Sequence, residues 1–279
     1  MTELKLPEEI TKASTGAPRD LVIISIPKAG KGTILGKFTE DHNAIVLDLE
    51  KGGYDYIAAR KLSTYTDQGT TRWESFKNYI KYRNLLLENK GKYEYLIIDG
   101  ISDLDDLSDI GGTLAYMDSI QGSSFNRELD NFGRPIKGGT KLEFNDPEFK
   151  SVTTLAEGYG YQHTRNWFMQ QVEIMRQISP YRIWAAHLAD KYIKDNGKEQ
   201  VIGSEIAITG QLKRIFASKV TSMAKLIVKG SDRYLNFDVQ NDSIVAGSRA
   251  PQLKGEMLIS RQKTDDSIET FWNSIYKKE

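Results

Sequence analysis

Residues 21 to 33 read LVIISIPKAGKGT. The first six form a continuous, mostly branched apolar run, the pattern of a strand covered on both faces as in a parallel sheet. Gly30 and Gly32 then punctuate the chain, and Ile34, Leu35 and Phe38 follow at helical spacing. A strand that turns through glycines into a helix places successive backbone N–H groups around an anion at the helix N-terminus. Lys31 is spaced to reach the outer phosphate oxygens of such an anion. Measured against G-x-x-x-x-G-K-[ST], the stretch SIPKAGKGT departs twice. Ser25 stands for the first glycine and Gly32 for the hydroxyl residue, with Thr33 one place late.

Outward from this stretch, short apolar runs recur at 44–48 (AIVLD), 95–99 (YLIID) and 182–187 (RIWAAH), with helical or irregular segments between them. That rhythm predicts an α/β fold with a mainly parallel sheet. Trp73, Phe76, Ile80 and Leu87 share one face of a crossover helix over 73–89. A further helix is expected over 161–178, stopping before Pro180. Asn196-Gly197 and Gly230, each flanked by strand-like residues, predict two hairpins that extend the sheet antiparallel, with a helix over 210–221 between them. Residues 1–20 read as a lead-in, 21–250 as one domain, 121–158 as a flexible insertion rich in Gly, Asn, Asp and Pro, and 251–279 as a C-terminal tail or helix.

The chain has 279 residues, with 38 Lys+Arg balancing 38 Asp+Glu. A protein of this size can bury about three quarters of its unfolded surface, so it needs no staples. Zero net charge excludes a polybasic protein held on nucleic acid by bulk charge, so any such contact is local. The absence of Cys excludes disulfides, thiolate metal sites and Cys nucleophiles, and three scattered His argue against a metal centre built on imidazole. No apolar run approaches the roughly 18 residues of a membrane span. The expectation is a cytoplasmic protein without membrane partners.

The candidate chemistry gathers at strand ends. Asp99 closes an apolar strand where open α/β sheets place ligand chemistry, and it is suited to hold Mg²⁺. Asp48 and Glu50 end another strand, and a carboxylate there can orient and deprotonate a water. His187 ends a third and can report on a terminal phosphate. His42 and His163 read as structural. Lys191 to Lys229 carries 8 basic and 3 acidic residues, whereas Ile97 to Asp118 has 6 Asp and no basic residue. Such a basic stretch can contact nucleic-acid phosphates locally.

The order SIPKAGKGT, VLDLEKGG, YLIIDG, IWAAHLADK, then an Asn-Gly hairpin leading into ITGQLKRIF, resembles the RecA-like AAA-type ATPases that bacteriophages encode for recombination and replication. The resemblance covers roughly residues 20–240. It implies a three-layer P-loop fold, ATP and Mg²⁺ as cofactors, and host cytoplasm as the location. Carried over residue by residue, it assigns the Walker A loop to Pro27, Lys28, Ala29, Gly30, Lys31, Gly32, Thr33 and Ile34. Thr33 and Asp99 would hold Mg²⁺, Glu50 would activate water and His187 would sense the γ-phosphate. It further implies a homo-oligomeric ring or filament acting on single-stranded DNA, with Lys229 and Arg233 of the second hairpin placed like a finger that enters a neighbour's site.

Two other classes compete. GKGT also occurs in adenylate-kinase-like nucleoside monophosphate kinases, but Asp99-Gly100 is followed here by ISDL, and 121–158 holds only Arg127 and Arg134. In-line transfer between nucleotides needs more fixed cations. The third class is a non-hydrolysing assembly protein in which ATP rivets an interface.

Overall fold

The computed structural model describes residues 16–136, 139–195, 198–238 and 246–276. The expected parallel strands form as β1 (Asp20–Ser25), β2 (Ala44–Asp48), β3 (Lys61–Ser63), β4 (Tyr95–Asp99) and β5 (Tyr181–Asp195). Helices α1 (Lys31–Asp41), α2 (Arg72–Glu88), α3 (Ile101–Met117) and α4 (Gly160–Ile178) separate or follow them. The chain continues through β6 (Lys198–Ile206), α5 (Leu212–Lys219), β7 (Ser222–Lys229), β8 (Asp232–Asn236), β9 (Gly247–Ser248), β10 (Glu256–Gln262) and β11 (Ile268–Thr270).

The sheet runs β11-β10-β8-β7-β1-β5-β4-β2-β3. The six strands from β7 to β3 are mutually parallel, and β8, β10 and β11 add on antiparallel. Alternate residues of each strand face opposite layers. Val22, Ile24, Leu47, Ile98 and Trp184 pack with α2–α5 through Phe76, Tyr79, Leu104, Phe168 and Phe216. Leu21, Ile23, Val46, Ile97 and Ile183 pack on the other face with Ile34, Leu35 and Phe38 of α1. Burial on both faces is why these strands read as unbroken apolar runs.

Helix α2 starts where Thr71 and Glu74 form a reciprocal capping box. The β7–β8 hairpin turns at Gly230, whose φ of 61° suits glycine. β5 and β6 pair antiparallel, while the Asn196-Gly197 turn lies outside the described residues.

Two expectations about organisation change. Residues 121–158 are anchored at several points. Asn126 bonds both the carbonyl and the N–H of Lys150, Val152 N–H donates to Thr113 Oγ1, and Phe144 stacks on Trp73. The expected C-terminal tail or helix instead continues the sheet. Ile268–Thr270 pairs with β10, and Trp272, Ile275 and Tyr276 are buried against α1. The β-branched and aromatic residues of IETFW suit a pleated edge better than a free helix.

Candidate functional site

The β1–α1 loop opens on Ser25, which lies in regular strand beside His187 of β5. No positive φ is required there, so serine replaces the expected glycine without strain. Lys28 (φ 63°) and Gly30 (φ 88°) then turn left-handed, and α1 begins at Lys31 with Ile34 N–H bonded to the Gly30 carbonyl. Pro27 and Lys28 are exposed, Ala29 and Lys31 are buried, and Gly32 and Thr33 are half-buried. The Ile34 side chain is fully buried in the α1 core, so only its backbone belongs to the loop. A Cβ at Gly32 would stand 3.1 Å from Ile57 Cδ1 and 3.9 Å from the Tyr54 ring. The segment after β2 therefore folds over the position where the usual pattern carries a hydroxyl.

Lys31 Nζ sits 3.0 Å from Asp99 Oδ1 and 3.2 Å from Glu50 Oε1. Burial alone would lower its pKa, but the charges of Asp99 and Glu50 outweigh burial and raise it. The same Glu50 oxygen lies 2.7 Å from His187 Nε2. Burial pushes the Glu50 carboxyl up, yet the His187 hydrogen bond and the Lys31 charge bring it down to about 2. Lys31, Glu50, Asp99 and His187 thus form one connected cluster built from the ends of β2 and β4, the start of α1 and the middle of β5, since β5 does not end at His187 as expected but runs on to pair with β6 from Leu188. β5 lies between β1 and β4, with His187 beside Ser25 and Ala185, two residues earlier, beside Asp99. His187 Nδ1 is buried with no hydrogen-bond partner.

Three further groups were not singled out as site residues from the sequence, or were given no role there. Tyr54 is buried and donates its hydroxyl to Asp99 Oδ2 at 2.8 Å, and burial raises the phenol well above its ordinary range. Asp48 accepts from Ser63 Oγ at 2.7 Å and from Glu50 N–H at 3.3 Å. Burial, aided by the Asp99 charge, pushes it up to about 6. Asp103, in the first turn of α3, is pushed up to about 7 by burial and by the charges of Glu50 and Asp106. The glycine pair in EKGGYD, which lets the chain fold back, and the four-residue offset of Asp103 from Asp99 are the signals that could have revealed Tyr54 and Asp103.

The residues fit a divalent cation at Asp99. Its Oδ1 is buried, with Lys31 as ion partner and no hydrogen bond. Thr33 is half-buried in the first turn of α1, and among the described residues no group of three or more His, Cys, Asp or Glu side chains is gathered to hold a metal ion, so a cation there would rest on Asp99, water and phosphate. Oxygen donors of this kind suit Mg²⁺, which keeps several waters.

The two cations of the second hairpin are placed differently within the subunit. Arg233 lies against its own loop, donating from Nε to the Ala29 carbonyl at 3.2 Å. Strand β8 is only two places from β1, so the long side chain reaches across β7 within one subunit. Lys229 does not reach the loop. Its ammonium pairs with Glu256 and lies 5.3 Å from the Tyr234 ring centroid.

With this geometry in view, the similarity to known proteins can be placed. Residues 17–127 match the family model described as an AAA domain. Those residues hold the loop, Glu50 and Asp99. The match spans less than half of the chain. No curated protein matches the chain. Among solved structures, one from a structural and biochemical analysis of a prototypical ATPase of the type III secretion system of pathogenic bacteria aligns with 76% of this chain, at 12% identity and TM-score 0.37. The present chain spans about half of that one, 52% of its length. Among the described residues no helix is long and apolar enough to cross a membrane.

Proposed function

We propose that the chain binds and hydrolyses Mg-ATP, with the chemistry centred on the Lys31–Glu50–His187–Asp99 cluster. The observation that carries this reading is the shared Glu50 oxygen, held at once by Lys31 and His187 beside Asp99. Without nucleotide, Lys31 is neutralised by the two carboxylates that catalysis would use. A triphosphate in the loop draws Lys31 to its outer oxygens. That transfer frees Asp99, which with Thr33 would hold Mg²⁺, a cation that neutralises phosphate charge when bound. It also removes from Glu50 one of the two groups that depress its pKa, leaving the His187 hydrogen bond, so the carboxylate gains some basicity as substrate arrives. Glu50 then orients and deprotonates the attacking water. His187, bonded to that carboxylate, senses whether the terminal phosphate is still present.

The finer part of the proposal is coupling to single-stranded DNA in a homo-oligomer, in the setting of phage recombination or replication. It rests on the sequence resemblance and on the excess of five positive charges between Lys191 and Lys229. Transfer to a nucleoside monophosphate is disfavoured by the placement of the two insertion arginines. Arg127 is engaged with the Ser123 and Gly139 carbonyls and Arg134 with Asp130, so neither serves the loop.

Release of inorganic phosphate from ATP, with and without single-stranded DNA, tests both parts. Lys31→Ala is expected to abolish turnover through lost nucleotide binding. Glu50→Gln is expected to retain ATP binding and lose at least about a hundredfold in kcat, the range of a positioned acid–base group. Loss of binding in Glu50→Gln would mean that Glu50 only shapes the loop. Turnover indifferent to DNA would remove the coupling and leave the ATPase.

A further inference from the structure

We propose that Arg233 is a phosphate-binding residue acting in cis, the second cation of this nucleotide site. The proposal rests on the ATP-binding function put forward above. Three observations lead to it. Arg233 lies directly over the loop, since a Cβ built on Gly30 would fall 2.5 Å from its Nε and 3.1 Å from Cζ and Nη2. Its Nη1 is buried with no hydrogen-bond partner. Among the described residues, no carboxylate pairs with it. Arg60, Arg83, Arg127 and Arg249 also hydrogen-bond only neutral groups, but among the described residues Arg233 is the arginine with a buried nitrogen lacking a hydrogen bond. A guanidinium stays charged in any protein environment, so a buried, unpaired donor on it is costly unless an anion completes it.

The charge balance of the site identifies that anion. Asp48, Glu50, Asp99 and Asp103 converge on a region where Lys31 is already engaged by two of them. A polyphosphate entering there meets net negative charge, and the loop's own lysine must first be drawn off its carboxylates. Arg233 needs no such exchange. It has only a neutral carbonyl to leave, and its planar fork suits phosphate oxygens. The same packing gives Gly30 a second reason to be glycine beyond its φ of 88°, because any side chain would displace the guanidinium. Arg233 therefore belongs to the nucleotide bound by its own subunit, not to a neighbour's.

The test measures equilibrium binding of ATP, and of inorganic tripolyphosphate as competitor, to wild type, Arg233→Ala, Arg233→Lys and Lys31→Ala. Melting curves serve to show that each variant is folded. Arg233→Ala is expected to weaken ATP and tripolyphosphate by the same factor, roughly tenfold or more, as loss of a charge-assisted contact implies. Arg233→Lys should recover part of that loss. Equal ATP affinity in wild type and Arg233→Ala overturns the assignment while leaving the ATPase reading intact, provided Lys31→Ala fails to bind. Weakened ATP with unchanged tripolyphosphate also overturns it, by moving the contact to ribose or base. A wild type that binds no ATP removes both readings. Mixing Lys31→Ala with Arg233→Ala subunits separates cis from trans. A cis residue predicts turnover equal to the sum of the two parts, whereas restored turnover would show that Arg233 completes a neighbour's site.

Discussion

At the scale of single residues, the site stores opposite protonation tendencies within a few side chains. Glu50 is held down at about 2, so its contribution to stability is present above its unfolded value near 4.5 and lost as pH falls through about 2. Asp103 behaves in the opposite sense. Burial, with the Glu50 and Asp106 charges facing it and His187 only partly offsetting them, raises it from 3.8 to about 7. Between those two values the folded chain binds a proton that the unfolded chain has lost, so stability falls as pH rises across that window. Asp103→Asn keeps the shape and deletes the titration. It is expected to raise stability by about 1–3 kcal/mol at pH 8 and to change little near pH 4, a discounted form of the full linkage for a partly solvated group. Urea midpoints at the two pH values check this. An equal shift at both would mean that packing, not charge, is what the substitution alters.

At the scale of elements, much was legible because strands buried on both faces write continuous apolar runs. Leu21–Ile26, Ala44–Asp48 and Tyr95–Asp99 appear in the sequence almost as they appear in the sheet. Lys31, Glu50, Asp99 and His187 stand out as candidates for a related reason, since each sits at or just beyond the carboxyl end of such a run. What sequence could not show is how a side chain crosses between elements. The sequence resemblance places Arg233 like a finger for a neighbour's site, because its contact with Ala29 is reached through pairings of β8 with β7 and of β7 with β1 that no local pattern encodes. The contact of α3 with α4 is hidden in the same way. Gly111 and Gly112 sit mid-helix, where glycine costs about 1 kcal/mol against alanine. A Cβ on Gly112 would lie 2.8 Å from the Thr164 backbone, and one on Gly111 would lie 2.1 Å from the Trp167 ring. Gly112→Ala should therefore destabilise by about 2 kcal/mol despite its better helix propensity, as overpacking does. A thermal melt that rises instead would show that the two helices can part without cost.

At the scale of the whole molecule, the sheet separates chemistry from anchorage. The strand ends near Ser25, Asp99 and His187 carry the cluster. At the opposite ends, buried Asp20 is locked by Arg182 at 2.8 and 3.1 Å, Trp184 at 3.0 Å and Arg176 at 3.3 Å. The C-terminal strands join these functions to the nucleotide loop. Trp272 and Tyr276 are buried against Phe38, with ring centroids at 4.8 and 5.9 Å, and Phe38 belongs to the helix whose first residue is Lys31. β10 also flanks β8, the strand that carries Arg233. On the proposed function, the tail backs the elements that carry Lys31 and Arg233, and its loss should act on binding as well as on folding. Trp272→Ala removes a buried aromatic from this layer and is expected to cost about 3–5 kcal/mol of stability. Because α1 loses its backing, ATP affinity should fall severalfold at temperatures where the variant is still fully folded by circular dichroism. Affinity that stays at the wild-type level until the unfolding transition begins would separate the two, making the C-terminal wall a prop for the fold alone.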